Sequence, residues 1–221
     1  MEHTVYFSNK STMSGSICIY LSSTDSQKSD VYSSIWISKY VHSQVNVVFK
    51  WDPIYSFCWT ELLSSKSGVQ VGAFQAYDTD LSESNLITLD YDKGFYFENK
   101  RKEQNTYLNI DQDVNVPNNR GYCGLGMSSF PAILTNTHPN IKESFDPKVI
   151  YNMVFGNYER GELHNITSFS NTQELDFPSN DPTLSIILNE RNQWEVQQGR
   201  SKRIKIEDCI NVYLNNEPNL I

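Results

Sequence analysis

The sequence has no apolar run approaching the ~20 residues that a membrane-spanning helix requires. Before residue 198 it also has no apolar face that recurs at helical spacing over ten residues or more. These two absences predict that the chain has no transmembrane segment and is not built from amphipathic helices. The opening residues, MEHTVYFSNK, lack a basic stretch followed by an apolar one, so we expect no secretory signal.

Cysteine is scarce, with only Cys18, Cys58, Cys123 and Cys209, and no two of these residues have CxxC spacing. Three of the four lie in apolar, strand-like stretches, where a buried free thiol is the usual state. We therefore expect reduced cysteines in a cytoplasmic protein. Formation of inclusions and non-classical release are compatible with the same composition.

Basic residues are fewer than acidic ones: the sequence contains 18 Lys and Arg residues and 26 Asp and Glu residues, which give a formal net charge of −8. A general nucleic-acid binder needs a basic face, so this balance argues against nucleic acid as a partner. Attraction to an anionic membrane surface is disfavoured for the same reason.

The sequence does contain a period-two alternation of apolar and polar residues along most of its length. Turn sequences separate the alternating runs; in YDKGF, we expect Gly94 to supply the positive φ angle of a tight turn. No repeat period and no long Gly-, Ser- or Pro-rich linker interrupts the pattern. We predict an all-β chain, an antiparallel two-sheet β-sandwich of jelly-roll type over residues 1–197, followed by a C-terminal extension over 198–221.

Aromatic residues are concentrated in VNVVFKWDPIYSFCWTE, residues 45–61, which places five of them in seventeen positions. Cross-strand aromatic pairs in a core explain this density. An exposed aromatic platform for a ligand such as a carbohydrate is the alternative, and its candidate residues are Trp51, Trp59 and Tyr77.

Catalytic motifs are missing. GLGMSSF is the nearest approach to a glycine-flanked nucleophile at Ser128 or Ser129, but a strand whose glycines admit a neighbouring backbone explains it better. The four histidines show no HxH, HxxxH or His–Cys pairing of the kind that binds zinc. We expect no enzyme, with a site built from Asp, Tyr and His on separate loops as the alternative.

Two acidic loops are candidates for calcium. DTDLSESN begins with Asp78 and Asp80, and NIDQDVN contains Asp111 and Asp113, so each offers oxygen side chains at alternate positions. Both loops lack the glycine and glutamate pattern of an EF-hand, and a solvated polar turn explains either one. We therefore expect no cofactor, with calcium as the alternative.

The C-terminal extension reverses the charge of the rest of the chain. Four of its residues within 200–205 are basic, namely Arg200, Lys202, Arg203 and Lys205. Phosphate binding or nuclear import can be argued from such a cluster. A homo-oligomer is favoured instead, in which a terminal strand brings the basic residues to the acidic body of a second copy. We assign that strand to Ile204, Ile206, Ile210, Val212 and Leu214.

Several segments carry a family resemblance: residues 45–61, GVQVGAFQAYDTDLSESNLITLDYDKGFYF at 68–97, GLGMS at 124–128, and residues 138–163 and 175–196. On these residues the chain resembles the bacterial RhiA family, rhizosphere-expressed proteins of nodulating bacteria, over most of residues 5–197. The resemblance implies small, signal-less proteins that rhizobia produce under cell-density control, with no established catalytic residues to transfer. The chain departs from the family pattern in its extra cysteines and in its longer end from Gln198 onward.

The function expected from these observations is non-catalytic. The chain acts either by self-assembly or by binding a surface ligand such as a carbohydrate. Composition and motifs do not separate these two functions.

Overall fold

The computed structural model describes residues 1–23, 30–65 and 68–213. Their regular secondary structure is β-strand throughout, apart from short 3-10 turns at Ile166–Ser168 and Ile206–Asp208. The prediction of an all-β chain is therefore confirmed. Leu214, assigned above to a terminal strand, and the rest of the extension to residue 221 lie outside the described residues. No helix long and apolar enough to cross a membrane occurs in the described ranges.

Eighteen strands follow one another along the described chain. They are β1 His3–Asn9, β2 Gly15–Ser22, β3 Val31–Val41, β4 Asn46–Trp51, β5 Tyr55–Ser65, β6 Gly68–Asp78, β7 Leu86–Tyr91, β8 Phe95–Arg101, β9 Leu108–Gln112, β10 Gly121–Met127, β11 Phe130–Asn136, β12 Lys142–Phe145, β13 Ile150–Gly156, β14 Leu163–His164, β15 Thr172–Glu174, β16 Thr183–Leu188, β17 Trp194–Gln198 and β18 Cys209–Tyr213.

These strands form three sheets, where two were predicted. A nine-stranded sheet has the order β15-β13-β2-β3-β11-β10-β5-β6, with β14 beside β3. A five-stranded sheet runs β17-β16-β1-β4-β18, and a four-stranded sheet runs β12-β9-β7-β8. Three pairs, β1–β16, β4–β18 and β7–β9, are parallel, so the chain is also not purely antiparallel.

One face of the nine-stranded sheet packs against both smaller sheets. Trp36 on β3 lies edge-on to Trp51 of the five-stranded sheet, with ring centroids 5.6 Å apart. Phe57 on β5 meets Phe97 of the four-stranded sheet at 6.4 Å. Residues from all three sheets therefore share one hydrophobic core. The opposite face of the long sheet carries two smaller clusters, one around Cys18 and one around Cys58.

The glycines of β10 permit a close approach between strands, as predicted for GLGMS. A Cβ atom on Gly124 would lie 2.0 Å from the carbonyl oxygen of Ile133 on β11. The hairpin turn that follows is made by Ser128 and Ser129, both with positive φ (48° and 59°), as a two-residue type I′ connection requires. The two serines are therefore turn residues.

The turn between β7 and β8 corrects one prediction. Lys93, with φ of 63°, takes the left-handed conformation that was assigned to Gly94. The backbone of Gly94 is not left-handed, and a Cβ atom built on it would meet nothing within 4 Å. The turn therefore does not require glycine at position 94.

Residues 199–208, the crossing segment, pass over the outer face of the five-stranded sheet. The chain leaves this sheet at β17 on one edge and returns as β18 on the other. At the start of the segment, the Ser185 hydroxyl donates to the Gly199 carbonyl at 2.8 Å, and the Ser201 N–H donates to the Ser185 hydroxyl at 2.7 Å. Because Ile204 is buried, the crossing segment is packed against the sheet.

Candidate functional site

The two tryptophan candidates belong to the interior. Trp51 is 1% exposed and packs against His3, Trp36, Tyr151 and Phe177. The core interpretation of residues 45–61 is therefore confirmed at Trp51, and its side chain has no access to a surface ligand.

Trp59 is half-buried beneath the four-stranded sheet. Its indole N–H donates to Gln75 Oε1 at 3.0 Å, and its ring lies 5.7 Å from the ring of Phe95. These contacts occupy the indole N–H and one side of the ring. Trp51 and Trp59 therefore do not form a common platform.

Tyr77 is the exposed member of the three aromatic candidates. It lies on β6 opposite Phe57, with 44% of its surface accessible. Its ring lies edge-on to Phe97, with centroids 6.2 Å apart. An open cleft of about 560 Å³ lies nearby between residues 53–55 and residues 78–81, and Tyr77 does not line it. The apolar walls of the cleft come from Pro53, Ile54, Tyr55 and Leu81, which are joined by Asp78, Thr79 and Asp80.

Asp78 and Asp80 line this cleft but already accept hydrogen bonds from hydroxyl groups. Asp78 Oδ1 and Oδ2 accept from the Ser129 hydroxyl at 2.9 and 3.1 Å. Asp80 Oδ1 accepts from the Ser82 hydroxyl at 2.6 Å, and this bond lowers the pKa of the Asp80 carboxyl group. Both carboxylates are therefore placed as acceptors of hydroxyl donors at an open surface.

Asp111 and Asp113 lie elsewhere and are occupied locally. Asp111 on β9 forms an ion pair with Arg101 at 2.6 Å. Asp113 Oδ1 accepts from the backbone N–H of Asn115 at 3.3 Å. Within the described ranges, no three His, Cys, Asp or Glu side chains come together closely enough to hold a metal ion. The four carboxylates proposed for calcium therefore do not form one site.

A second group of reactive side chains lies on the far face of the nine-stranded sheet. His164 Nε2 is 3.2 Å from Glu162 Oε2, and Glu162 is only 3% exposed. The His164 ring packs against Tyr158 and Phe169, with centroids 5.4 and 4.9 Å away. Sequence reasoning missed this pair. The spacing of two residues in GELH was an available signal, because it places both side chains on one face of an extended segment.

Cys18 adjoins this group but is protonated at neutral pH. Its thiol donates to the Ser38 hydroxyl at 3.3 Å, and that hydroxyl donates to the Tyr158 carbonyl at 3.0 Å. Burial, weakly reinforced by Glu162, raises the pKa of Cys18 to about 12. Because the nucleophile of cysteine chemistry is the thiolate, this thiol is unreactive.

The free edge of β18 is the most distinctive surface feature of the five-stranded sheet. Ile210 and Val212 lie opposite Val47 and Phe49 of β4, so they point to the inner face of the sheet. Val212 packs against the core, whereas Ile210 is 44% exposed. Tyr213, on the other face, is 46% exposed. The strand therefore presents apolar side chains on both of its faces, at an edge with which no other described strand pairs.

Comparison with known proteins assigns the chain to a family. The family model RhiA matches residues 1–199. Protein RhiA of Rhizobium leguminosarum bv. viciae is 28% identical over 171 residues, which cover 76% of this chain and 74% of that protein. No solved structure matches the chain. The match over residues 1–199 shows that the chain belongs to the RhiA family.

Proposed function

We propose that the protein is non-catalytic and acts by self-assembly, with the edge of β18 joining a second copy of the chain. An edge strand exposes a row of unpaired backbone N–H and C=O groups, which another strand can complete. The two copies would pair β18 with β18 and form one continuous sheet. Because β18 has only five residues, we expect a concentration-dependent association and not an obligate dimer.

The observation that carries this proposal is the absence of charge on β18. Natural edge strands are usually protected by charged residues or proline. Each of the other five edge strands in the described sheets contains a charged residue; these strands are β6, β8, β12, β15 and β17. The sequence of β18, CINVY, has neither a charge nor a proline. Among the strands that end the three sheet orders, β18 alone lacks the usual protection.

The two edges of the five-stranded sheet provide a matched test. Ile210 on β18 is 44% exposed and Val196 on β17 is 45% exposed, and both face inward on their strands. We expect Ile210→Lys to weaken self-association at least tenfold in analytical ultracentrifugation, because it places a charge on the pairing edge. Val196→Lys should leave association unchanged. Equal association of the wild type and Ile210→Lys would overturn the proposal.

Carbohydrate binding at the cleft between residues 53–55 and residues 78–81 is the second candidate function. It is supported by one arrangement: apolar walls that include the ring of Tyr55, together with the Asp78 and Asp80 carboxylates, which already accept from hydroxyl groups. Sugars present the same hydroxyl donors together with an apolar face that packs on aromatic rings. A cleft of about 560 Å³ has room for a small saccharide.

A screen of immobilised glycans tests this second function. We expect Asp78→Asn and Asp80→Asn each to abolish retention of any glycan that binds the wild type, because both carboxylates line the cleft. Tyr107 is 43% exposed on the approach to β9, away from the cleft, so Tyr107→Ala serves as the control and should bind normally. Loss of binding in all three variants, or no binding by the wild type, would count against the cleft.

The proposal that the protein is non-catalytic is supported by the protonation state and the burial of Cys18, which lies near Glu162. A neutral, buried Cys18 offers no nucleophile to the alternative, an enzyme with a site built across loops. We also propose a cytoplasmic location, supported by the burial of three of the four free thiols. Titration of four thiols per chain after denaturation without reductant would agree with this location, whereas two or fewer would contradict it.

A further inference from the structure

The crossing segment forms one wall of a cleft with an excess of positive charge. The cleft has a volume of about 490 Å³ and lies between Lys10 after β1, residues 44–46 at the start of β4, the crossing segment and Ile210 on β18. Lys10, Arg203 and Lys205 line it, against one carboxylate, that of Asp208. The whole chain has a net charge of −8, whereas the side chains around this concave site carry an excess of positive charge.

The backbone that carries these cations is held in place by packing and hydrogen bonds. The Lys10 N–H donates to the Leu188 carbonyl at 2.8 Å, and Gln44 Nε2 donates to the Lys10 carbonyl at 3.3 Å. On the opposite wall, the buried side chain of Ile204 anchors the crossing segment between Arg203 and Lys205. The positions from which the cations extend are therefore fixed before any ligand binds.

The polar groups that face the cleft are mainly donors. Asn46 Oδ1 accepts from the Ser8 hydroxyl at 2.7 Å, so the amide nitrogen of Asn46 is left for another acceptor. Among the described residues, no acceptor lies within hydrogen-bonding distance of Asn46 Nδ2 or of the ammonium groups of Lys10 and Lys205. One nitrogen of Arg203 donates to Glu195 at 3.1 Å, on the side of β17, which leaves its other donors available.

We propose that this cleft binds a phosphate-bearing small molecule. A phosphate group supplies several acceptor oxygens and a double charge, which match ammonium, guanidinium and amide donors that have no acceptors of their own. The volume is that of a small-molecule site. A concave site with three cations also fits a compact ligand better than a nucleic-acid backbone, which needs an extended basic track.

The walls of the site have different origins in the sequence. Lys10 and Asn46 lie within residues 1–199, which match the family model, whereas Arg203, Lys205 and Asp208 follow the matched residues. Phosphate binding would therefore depend on the crossing segment, which follows the family-matched residues. None of the cations lies on β18, although Ile210 of that strand also lines the cleft.

Calorimetric titration of the full chain with inorganic pyrophosphate tests the proposal. At low ionic strength we expect saturable binding, weakened about tenfold or more by Lys10→Gln and by Lys205→Gln, since each removes a charge-assisted hydrogen bond. Lys202 lies on the crossing segment but does not line the cleft. Lys202→Gln is therefore the matched control and should bind pyrophosphate within about twofold of the wild type.

Three results would overturn the proposal. The first is the absence of pyrophosphate binding by the wild type. The second is equal weakening by Lys202→Gln and Lys205→Gln, because that would show diffuse attraction to a basic surface. A duplex oligonucleotide provides the other arm: tighter binding of the duplex than of pyrophosphate would assign the cations to a nucleic-acid backbone and contradict a small-molecule site. Thermal melts of each variant establish that the exposed substitutions leave the fold intact.

Discussion

At the scale of single residues, backbone proximity makes one glycine indispensable and leaves another replaceable. Gly124→Ala would drive a methyl group into the backbone of β11, 2.0 Å from the Ile133 oxygen, so we expect a loss of ~3 kcal/mol or more in unfolding free energy. Gly94→Ala meets open space and should change stability by no more than about 0.5 kcal/mol. Urea denaturation measures both; equal losses would refute the close approach of β10 and β11.

His3 gives the protein a pH-dependent stability. Burial, with a smaller effect of the N-terminal amine, lowers the pKa of His3 below its usual value of 6.5, and Asp52 opposes the shift only in part. As pH falls below 6.5, the unfolded chain takes up the proton before the folded chain does, so stability is full above that pH and declines towards the folded pKa.

Substitution of His3 by phenylalanine should remove this contribution while keeping an aromatic ring beside Trp51, which the His3 ring stacks on at 5.5 Å. We expect the melting temperature of His3→Phe to fall less than that of the wild type between pH 7 and pH 5. His42 is exposed, and His42→Phe should keep the wild-type decline. A decline unchanged by His3→Phe would assign the pH dependence to other groups.

At the scale of elements, the crossing segment is a structural part of the five-stranded sheet. Ile204 is buried on the outer face of that sheet, so Ile204→Ala should cost about 2–4 kcal/mol of unfolding free energy. Ile210, close by on β18 but 44% exposed, provides the comparison, and Ile210→Ala should cost less than about 1 kcal/mol. Similar small losses in chemical denaturation would mean that the crossing segment is not packed on the sheet.

Strands and local hairpins were accessible to sequence reasoning because alternation and turn residues are local signals. Partners distant in sequence were not accessible. The alternation in β1 predicts a buried face but does not specify that β16, nearly 180 residues later, pairs beside it in parallel. The third sheet was not predicted for the same reason. In that sheet β7 pairs with β9 in parallel, and β8 lies on the other side of β7.

At the scale of the whole molecule, both proposed clefts are assembled from separate stretches of chain. The aromatic density of residues 45–61 correctly predicted a core, yet the burial of Trp51 and the exposure of Tyr77 depend on which sheets cover them. Lys10 was not a candidate, because only the return of the crossing segment places it near Arg203 and Lys205. Sequence patterns therefore predicted the β-strands and the aromatic core. The long-range strand pairings determined which residues face solvent.

The central claim, that β18 pairs with a second copy, concerns the backbone of one edge strand, so hydrogen exchange tests it most directly. Amide exchange is measured by mass spectrometry on the full chain at low and high protein concentration, for peptides covering Cys209–Tyr213 and Trp194–Gln198. We predict that exchange in Cys209–Tyr213 slows as concentration rises, because edge amides gain acceptors, while exchange in Trp194–Gln198 stays constant. Unchanged exchange in Cys209–Tyr213 at a concentration where ultracentrifugation detects association, or slowing confined to Trp194–Gln198, would contradict the account.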